Sequence, residues 1–455
     1  MKPLKIVQFT LAGLLSLSLA ACGSAGSSGS GATASNGSAN QATPAAGGDA
    51  AKTEKKDQPV TITFQNIYVD PATPSAKTLK KIVADYQAAH PNVKIELDSL
   101  NTDQQKIKLK TQAAAKEVPD ITIVNPAAQM KPFVDAGLLA PLNDMLDQNG
   151  LKATFQKGIL DWYTFNNNVY ALPDGNNIAV VYYNKELFAQ AGVEVPKTYE
   201  EMIDVVKKLK EKKIQPMVIG EKDSWTGSFL FMNILLRTSG PGFLKDVSEK
   251  KKTFNDPAFT DAVSKFQDLV QAGAFQEGAT SMDYNAGENL FKTGKAAMYF
   301  MGTWATGAID DSSVKGKIGA FKFPTVGGKG NPDEFMLAPG SAFAVSANSK
   351  HLKETKEFLN YFMLNFPKEQ FNNKNAVGLA QNFDADLKAA GYSDLAISVF
   401  ELFKGVKGGD LSFDNTMNPG TSQAHLTSIQ NIFVKKVDPK DVAKEHQTAF
   451  EANNK

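Results

Sequence analysis

Apolar positions along this chain follow three regimes. Residues 6 to 21 form an apolar run from Ile6 to Ala21, preceded by Lys2 and Lys5 and by no acidic residue. Residues 23 to 58 are Gly, Ser, Ala, Thr and Asn, ending in Lys52-Thr53-Glu54-Lys55-Lys56-Asp57, with almost nothing large and apolar to bury. From Val60 onward the pattern alternates between period two and helical spacing. Val60-Thr61-Ile62-Thr63-Phe64 alternates as a strand does, and Leu79, Ile82, Val83 and Tyr86 share one helix face, with Ser75 as a cap after Pro74. Val93–Leu97 is a second strand, residues 102 to 116 a helix, and Asp120–Val124 a third strand. This β-α-β-α-β order predicts a parallel sheet covered by helices. Strands at Ala179–Tyr183 and Met217–Ile219, a helix over 199–212, and a mostly helical stretch from 358 to 455 with loops near 405–425 continue the reading. There is no internal repeat. The fold class is therefore α/β.

The first two regimes describe export. A basic start, a short apolar stretch and small residues before a cut site make a secretory signal. The run is about 16 residues, short of the ~20 that span a bilayer. Its ending, Leu19-Ala20-Ala21-Cys22, resembles a bacterial lipobox, so residues 1–21 are expected to be removed and Cys22 to be acylated. Residues 22–58 would then be a lipidated N-terminus and a flexible linker. About 36 residues of that composition reach roughly 30–35 Å, enough to hold a folded body near a membrane of the Gram-positive kind.

Composition narrows the chemistry. Cys22 is the only cysteine in 455 residues, so a mature chain acylated there has no free thiol, disulfide or thiolate ligand. Without residues 1–21 the chain holds 47 basic and 48 acidic residues, which argues against a nucleic-acid partner. Arg237 is the only arginine, so bidentate anion clamps are almost unavailable. His90, His351, His425 and His446 are far apart, match no metal spacing, and read as surface residues. No metal or cofactor is expected. Gly294-Lys295 lacks the upstream glycine and following Ser or Thr of a phosphate loop. Tyr182-Tyr183 ends an apolar strand and reads as packing rather than as an iron-binding pair.

Several segments resemble the family 1 extracellular solute-binding proteins of ABC importers. They are Val118-Pro119-Asp120-Ile121, Tyr170-Ala171-Leu172-Pro173, Tyr183-Asn184-Lys185-Glu186-Leu187-Phe188, Ala191-Gly192 and Pro196-Lys197-Thr198-Tyr199-Glu200-Glu201. Phe291-Lys292-Thr293-Gly294-Lys295-Ala296-Ala297-Met298 with Gly302-Thr303-Trp304, then Ser341–Ser346 and Lys356–Leu359, complete the series in the family's order. The family usually has Trp where this chain has Tyr199. The resemblance implies a two-lobe, periplasmic-binding-protein-like fold of type II, with three interlobe crossovers and a ligand cleft between the lobes. It implies crossovers near 172–178, 318–324 and 340–346, an N-terminal lobe of 59–172 plus 320–342, and a C-terminal lobe of 173–319 plus 343–455.

The implied activity is non-catalytic: an extracytoplasmic, lipid-anchored monomer binds a sugar or oligosaccharide and delivers it to the permease subunits of an ABC importer. A sugar site needs flat rings for C–H faces and short polar side chains for hydroxyls. Trp304, with Gly302, matches the family's stacking position, and Trp225 lies in a polar loop before an apolar helix. Trp162 reads as core or surface. Ligands of parallel sheets bind beyond the carboxyl ends of the strands, which nominates Asn66, Tyr68, Asp70 and Asn125. Asp174, Asn176 and Asn177 flank the first crossover and Ser341 the third, with Asp283-Tyr284 and Asp414-Asn415 as weaker candidates. Two other functions use the same features. One is a surface hydrolase acting on glycans, which needs two carboxylates some 5–10 Å apart, although no GxSxG elbow is present. The other is a ligand-sensing subunit for a membrane kinase.

Overall fold

The computed structural model describes residues 58–454. Cys22, the apolar run and the linker lie outside the described residues. Two five-stranded sheets organise the described chain, each the centre of one lobe.

The first sheet begins as the periodicity predicts. Strands β1 (Val60–Asn66), β2 (Val93–Ser99) and β3 (Ile121–Val124) are parallel neighbours. Val60, Ile62 and Phe64 point into the core while Thr61 and Thr63 face out. Helices α1 (Pro74–Ala89) and α2 (Thr102–Ala115) make the crossovers. The α1 cap is Thr73, whose hydroxyl accepts from the Ala76 N–H, rather than Ser75, because Pro74 takes the first helical position. Strand β4 (Ala171–Pro173) closes the far edge.

The second sheet is built around β5 (Asn177–Asn184), with β6 (Met298–Gly302) on one edge. On its other edge lie β7 (Ile318–Phe321) and β8 (Glu334–Ala338). The apolar segment Met217–Ile219 forms one bridge, Met217 to Met298, and not a full strand. Helices α3 (Tyr199–Glu211), α4 (Trp225–Ser239) and α5 (Tyr284–Lys292) belong to this lobe. α4 is buried on every side from Thr226 to Arg237.

The described residues depart from the expected lobe boundaries after residue 317. Residues 318–321 do not cross between lobes: they are β7, paired antiparallel with β5, and Gly319 leaves room for the Tyr183 ring against it. The chain next crosses at 339–341, beside the crossover expected near 340–346, and runs directly into β9 (Ala342–Val345). Strand β9 sits between β3 and β4 in the first sheet. All four of its residues are fully buried, so it needs neighbours on both edges and both faces. Helix α6 (Leu352–Asn372) then packs Phe358, Phe362, Met363 and Phe366 into the first lobe's core. The third crossing follows α6. Leu379 and Ala380 still belong to the first core, whereas Val377 and α7 (Asp394–Lys404) belong to the second. Strand β10 (Gly408–Leu411) adds to β8, and helices α8 (Phe413–Thr416), α9 (Pro419–Ile432) and α10 (Pro439–Asn453) finish the second lobe.

All three crossings meet at Gly175. The Asp174 N–H donates to Ser341 O at 3.0 Å and the Asn176 N–H to Gly378 O at 2.7 Å. Gly340, at φ +88°, approaches the Gly175 backbone so closely that a Cβ would lie 2.7 Å from its carbonyl oxygen. A side chain there would pry two crossings apart.

Two histidines contradict the surface reading. His425 and His446 are fully buried in the second lobe. Ser228 Oγ, His425 and His446 form a chain of 2.9 and 2.8 Å hydrogen bonds that ends 2.7 Å from Val442 O. That carbonyl can only accept, so His446 carries its proton on Nδ1, His425 does likewise, and the Ser228 hydroxyl donates. Burial depresses both basicities, His446 to about 4. Helical spacing hid this, since α9 and α10 are separate elements that only packing brings together.

Candidate functional site

A cleft of about 280 Å³ runs between the lobes, and two of the three crossings line it through Asp174, Gly340 and Ser341. The first lobe contributes the carboxyl ends of its parallel strands. After β1 the chain turns through Tyr68 and Asp70, and after β3 it presents Asn125. These are the loops that sheet topology nominates. Asp70 also accepts the Ala72 N–H at 2.9 Å, which holds its own loop.

The second lobe contributes an aromatic wall. Trp225 opens α4, Trp304 follows β6, and Tyr284 opens the helix Tyr284–Lys292, with Phe229 one turn along α4. Ring centroids of Trp225 and Trp304 are 6.3 Å apart, and Phe229 packs against Trp304 at 5.9 Å. Trp304 Nε1 donates to the Tyr284 hydroxyl at 3.1 Å. Trp225 Nε1 is buried without a partner.

Not every nominated residue faces the cleft. Tyr68, Asp70, Asn125, Trp225, Trp304 and Ser341 line it, as do Asp174, Asn177, Tyr284, Asp414 and Asn415. Asn66 is fully buried behind it. Its side-chain oxygen accepts from the Tyr68 N–H at 3.0 Å and Ser99 Oγ at 2.9 Å, so it shapes the Tyr68 loop. Asn176 turns away to Gln156 at 2.8 Å and serves the hinge. Gly302 lies beneath Trp304, where a Cβ would fall 1.9 Å from the indole ring, so its role is to leave space. Asp283 caps the helix Tyr284–Lys292, accepting from the Ala286 N–H at 2.8 Å. Trp162 is 39% exposed and outside the cleft. Arg237 is 1% exposed and fully used by the backbone, donating to Glu334 O at 2.9 Å and Phe323 O at 3.1 Å.

Sequence reasoning passed over Lys106, Gln129 and Glu288, all of which line the cleft. Lys106 could have been found, because the first turns of α2 sit beside the same sheet edge as Asn66 and Asn125. Nothing local marks Gln129. It reaches across the mouth, its amide donating to Asp414 at 2.9 Å and Asn415 at 2.6 Å. Lys106 lies 3.9 Å from the same Asp414, and Lys77 of α1 meets Asp311 at 3.0 Å.

The carboxyl groups are mostly occupied. Glu288 pairs with Lys292 at 3.2 Å and accepts from the Tyr284 hydroxyl at 2.7 Å. Asp174 accepts from the Tyr68 hydroxyl at 2.9 Å. Burial at the cleft floor pushes Asp174 up to about 6, and burial with that charge nearby also raises Tyr68. Asp223 is likewise pushed up to about 6, first by burial and then by the charge of Asp103 on the opposite lobe.

Comparison with known proteins places this geometry. The multiple sugar-binding protein of Streptococcus mutans is 28% identical over 332 residues, covering 70% of this chain and 74% of that one. A solved structure from work on xylan utilization by the thermophilic bacterium Caldanaerobius polysaccharolyticus is 34% identical. It superposes with a TM-score of 0.80 and covers 85% of this chain and 99% of that one. A chitin oligosaccharide binding protein is 28% identical with a TM-score of 0.79, over 87% and 98% of the two chains. These neighbours have the two-lobe, type II binding-protein fold, which is the fold of this chain. The sequence model described as bacterial extracellular solute-binding protein matches residues 70–365, a stretch that enters both sheets and passes through two of the three hinge crossings, and on that match the chain belongs to this family.

Proposed function

We propose that the protein is the extracytoplasmic receptor of an ABC importer, and that its interlobe cleft closes on a neutral sugar or oligosaccharide for delivery to the permease. The observation that carries this reading is the division of labour across the cleft. One lobe offers indole and phenol faces to apolar C–H surfaces, and the other offers short polar side chains to hydroxyls. Relatives named for multiple sugars, diacetylchitobiose and chitin oligosaccharides support the same class.

Charge supports neutrality of the solute. The cleft has no arginine, and its Lys106 already faces Asp414. A uronate or a phosphate entering the cleft would meet Asp70, Asp174, Glu288 and Asp414, with no free cation among the described residues that line it to offset them. The receptor is non-catalytic, and each of these carboxyl groups is engaged in holding a loop, a hinge, a ring or a lip. Closure follows from contact with both lobes at once, which favours the closed arrangement by differential affinity. Acylation of Cys22 would anchor the receptor through the linker, as a monomer.

A thermal-shift screen against a carbohydrate panel tests the solute class. A sugar at 100 times its Kd stabilises by roughly 2.7 kcal/mol. Neutral oligosaccharides are expected to shift the melt, and uronates and sugar phosphates are not. A shift only with peptides or anions would overturn the reading. For the anchor, Cys22→Ser expressed in the native host should leave the membrane fraction, and full retention would refute acylation.

A further inference from the structure

Behind the aromatic wall lies a line of polar groups that sugar stacking alone does not require. The helix Tyr284–Lys292 places Tyr284, Glu288 and Lys292 at intervals of four, so all three stand on one face. Lys292 Nζ is 3.2 Å from Glu288, Glu288 Oε2 is 2.7 Å from the Tyr284 hydroxyl, and that hydroxyl is 3.1 Å from Trp304 Nε1.

The direction of every link is forced. An indole N–H only donates and a carboxylate only accepts. The Tyr284 oxygen must therefore accept from Trp304 and aim its own proton at Glu288. Lys292 pairs with this carboxylate, and the Glu288 side chain is only 9% exposed. Burial, reinforced by the Glu288 charge, pushes the Tyr284 hydroxyl well above its usual value, so its proton stays in place.

The helix carrying the line is itself fixed. The Tyr284 N–H donates to Asp223 at 3.0 Å. Gly220 and Gly287 bring two backbones together so closely that a Cβ on Gly220 would lie 2.3 Å from Asp283 O. An indole ring on a short turn after β6 has freedom about its own side-chain torsions. One hydrogen bond at its edge, itself held by a charge, removes that freedom before a solute arrives. Preorganisation of this kind raises affinity by removing an ordering cost from the binding step.

We propose that Glu288 is a positioning residue for the solute site, holding the Trp304 ring in its stacking plane through the Tyr284 hydroxyl. This rests on the reading of Trp304 as a sugar platform. Because Glu288 also lines the cleft, the competing account is a direct hydrogen bond from Glu288 to the solute.

The test uses Tyr284→Phe, Glu288→Gln, their double variant, and Lys292→Met, the last altering a residue that does not line the cleft. Affinity for the best sugar of the panel is measured by calorimetry. The fluorine resonances of 5-fluorotryptophan-labelled protein are recorded without sugar, and Trp304→Phe assigns the Trp304 signal. Each single variant in the relay is expected to weaken binding about 3- to 10-fold, in line with one or two lost hydrogen bonds. The double variant should be no weaker than the worse single. The Trp304 resonance should shift or broaden in all of them while the Trp162 resonance holds. Multiplicative losses in the double variant, or an unmoved Trp304 resonance in Tyr284→Phe and Lys292→Met, would overturn the proposal. Should no sugar bind while the resonance still moves, the solute reading fails and the positioning role stands.

Discussion

Gly302→Ala should weaken the solute site although Gly302 itself does not line the cleft. Gly302 ends β6 at φ −71° and ψ 157°, an extended conformation that alanine adopts at no backbone cost. The new methyl, however, would lie 1.9, 2.2 and 2.3 Å from three carbons of the Trp304 six-membered ring. Carbon atoms in contact need about 3.5–4.0 Å, so the ring must withdraw by more than an ångström. Withdrawal breaks the hydrogen bond to Tyr284 and loosens the packing on Phe229 and Trp225. Losing one stacked ring costs on the order of 1–3 kcal/mol, by analogy with base–aromatic stacking, or roughly a ten- to hundred-fold weaker Kd. Folding stability should fall by about 1–3 kcal/mol, the usual range for an overpacked site. Calorimetric titration with the best sugar of the panel reads the first, and urea unfolding of the sugar-free protein reads the second. Near-wild-type affinity together with unchanged tryptophan emission would refute the reasoning, because it would mean that the ring does not need its place over Gly302.

Three further outcomes follow from the same geometry. Asp174→Asn should stabilise the sugar-free protein at neutral pH. A carboxyl raised from 3.8 to about 6 favours folding most below its unfolded value and loses that contribution as pH rises through about 6. The shift caps the gain at about 3 kcal/mol; cleft water screens it to about 1 kcal/mol, and denaturant titrations at pH 7.5 and pH 4 should show the gain vanish at the lower pH. Gln129→Ala removes two hydrogen bonds across the mouth. It should weaken sugar binding about 3- to 10-fold, with small-angle scattering showing a more open sugar-free form, and unchanged affinity would argue against a latch. His446, pushed down to about 4 by burial, contributes stability that is full above about pH 6.5 and is lost as pH falls through about 4. Its nitrogen resonances, and those of His425, should not titrate between about pH 8 and pH 5.

Local signals carried much of this protein. Period-two alternation at Val60–Phe64 and helical spacing through Tyr86 specified the first β-α-β units, because a half-buried strand and an amphipathic helix each write their burial into adjacent residues. The loops after β1 and β3 were legible for the same reason. Trp304 was legible through the motif around it. Packing between distant segments was not. That Ala342–Val345 belongs to the first sheet depends on the gap between Ile121–Val124 and Ala171–Pro173, two strands from much earlier in the chain. That Gly302 is a space and not a contact depends on where the ring of Trp304 folds back. His425 and His446 looked like surface residues until two helices met around Phe413. Gln129 became a lip, and Glu288 the support of a ring, only through groups brought in from elsewhere in the chain. A sequence records what each residue needs from its neighbours along the backbone. Which distant partner meets that need is decided by close packing, where one arrangement fills the space.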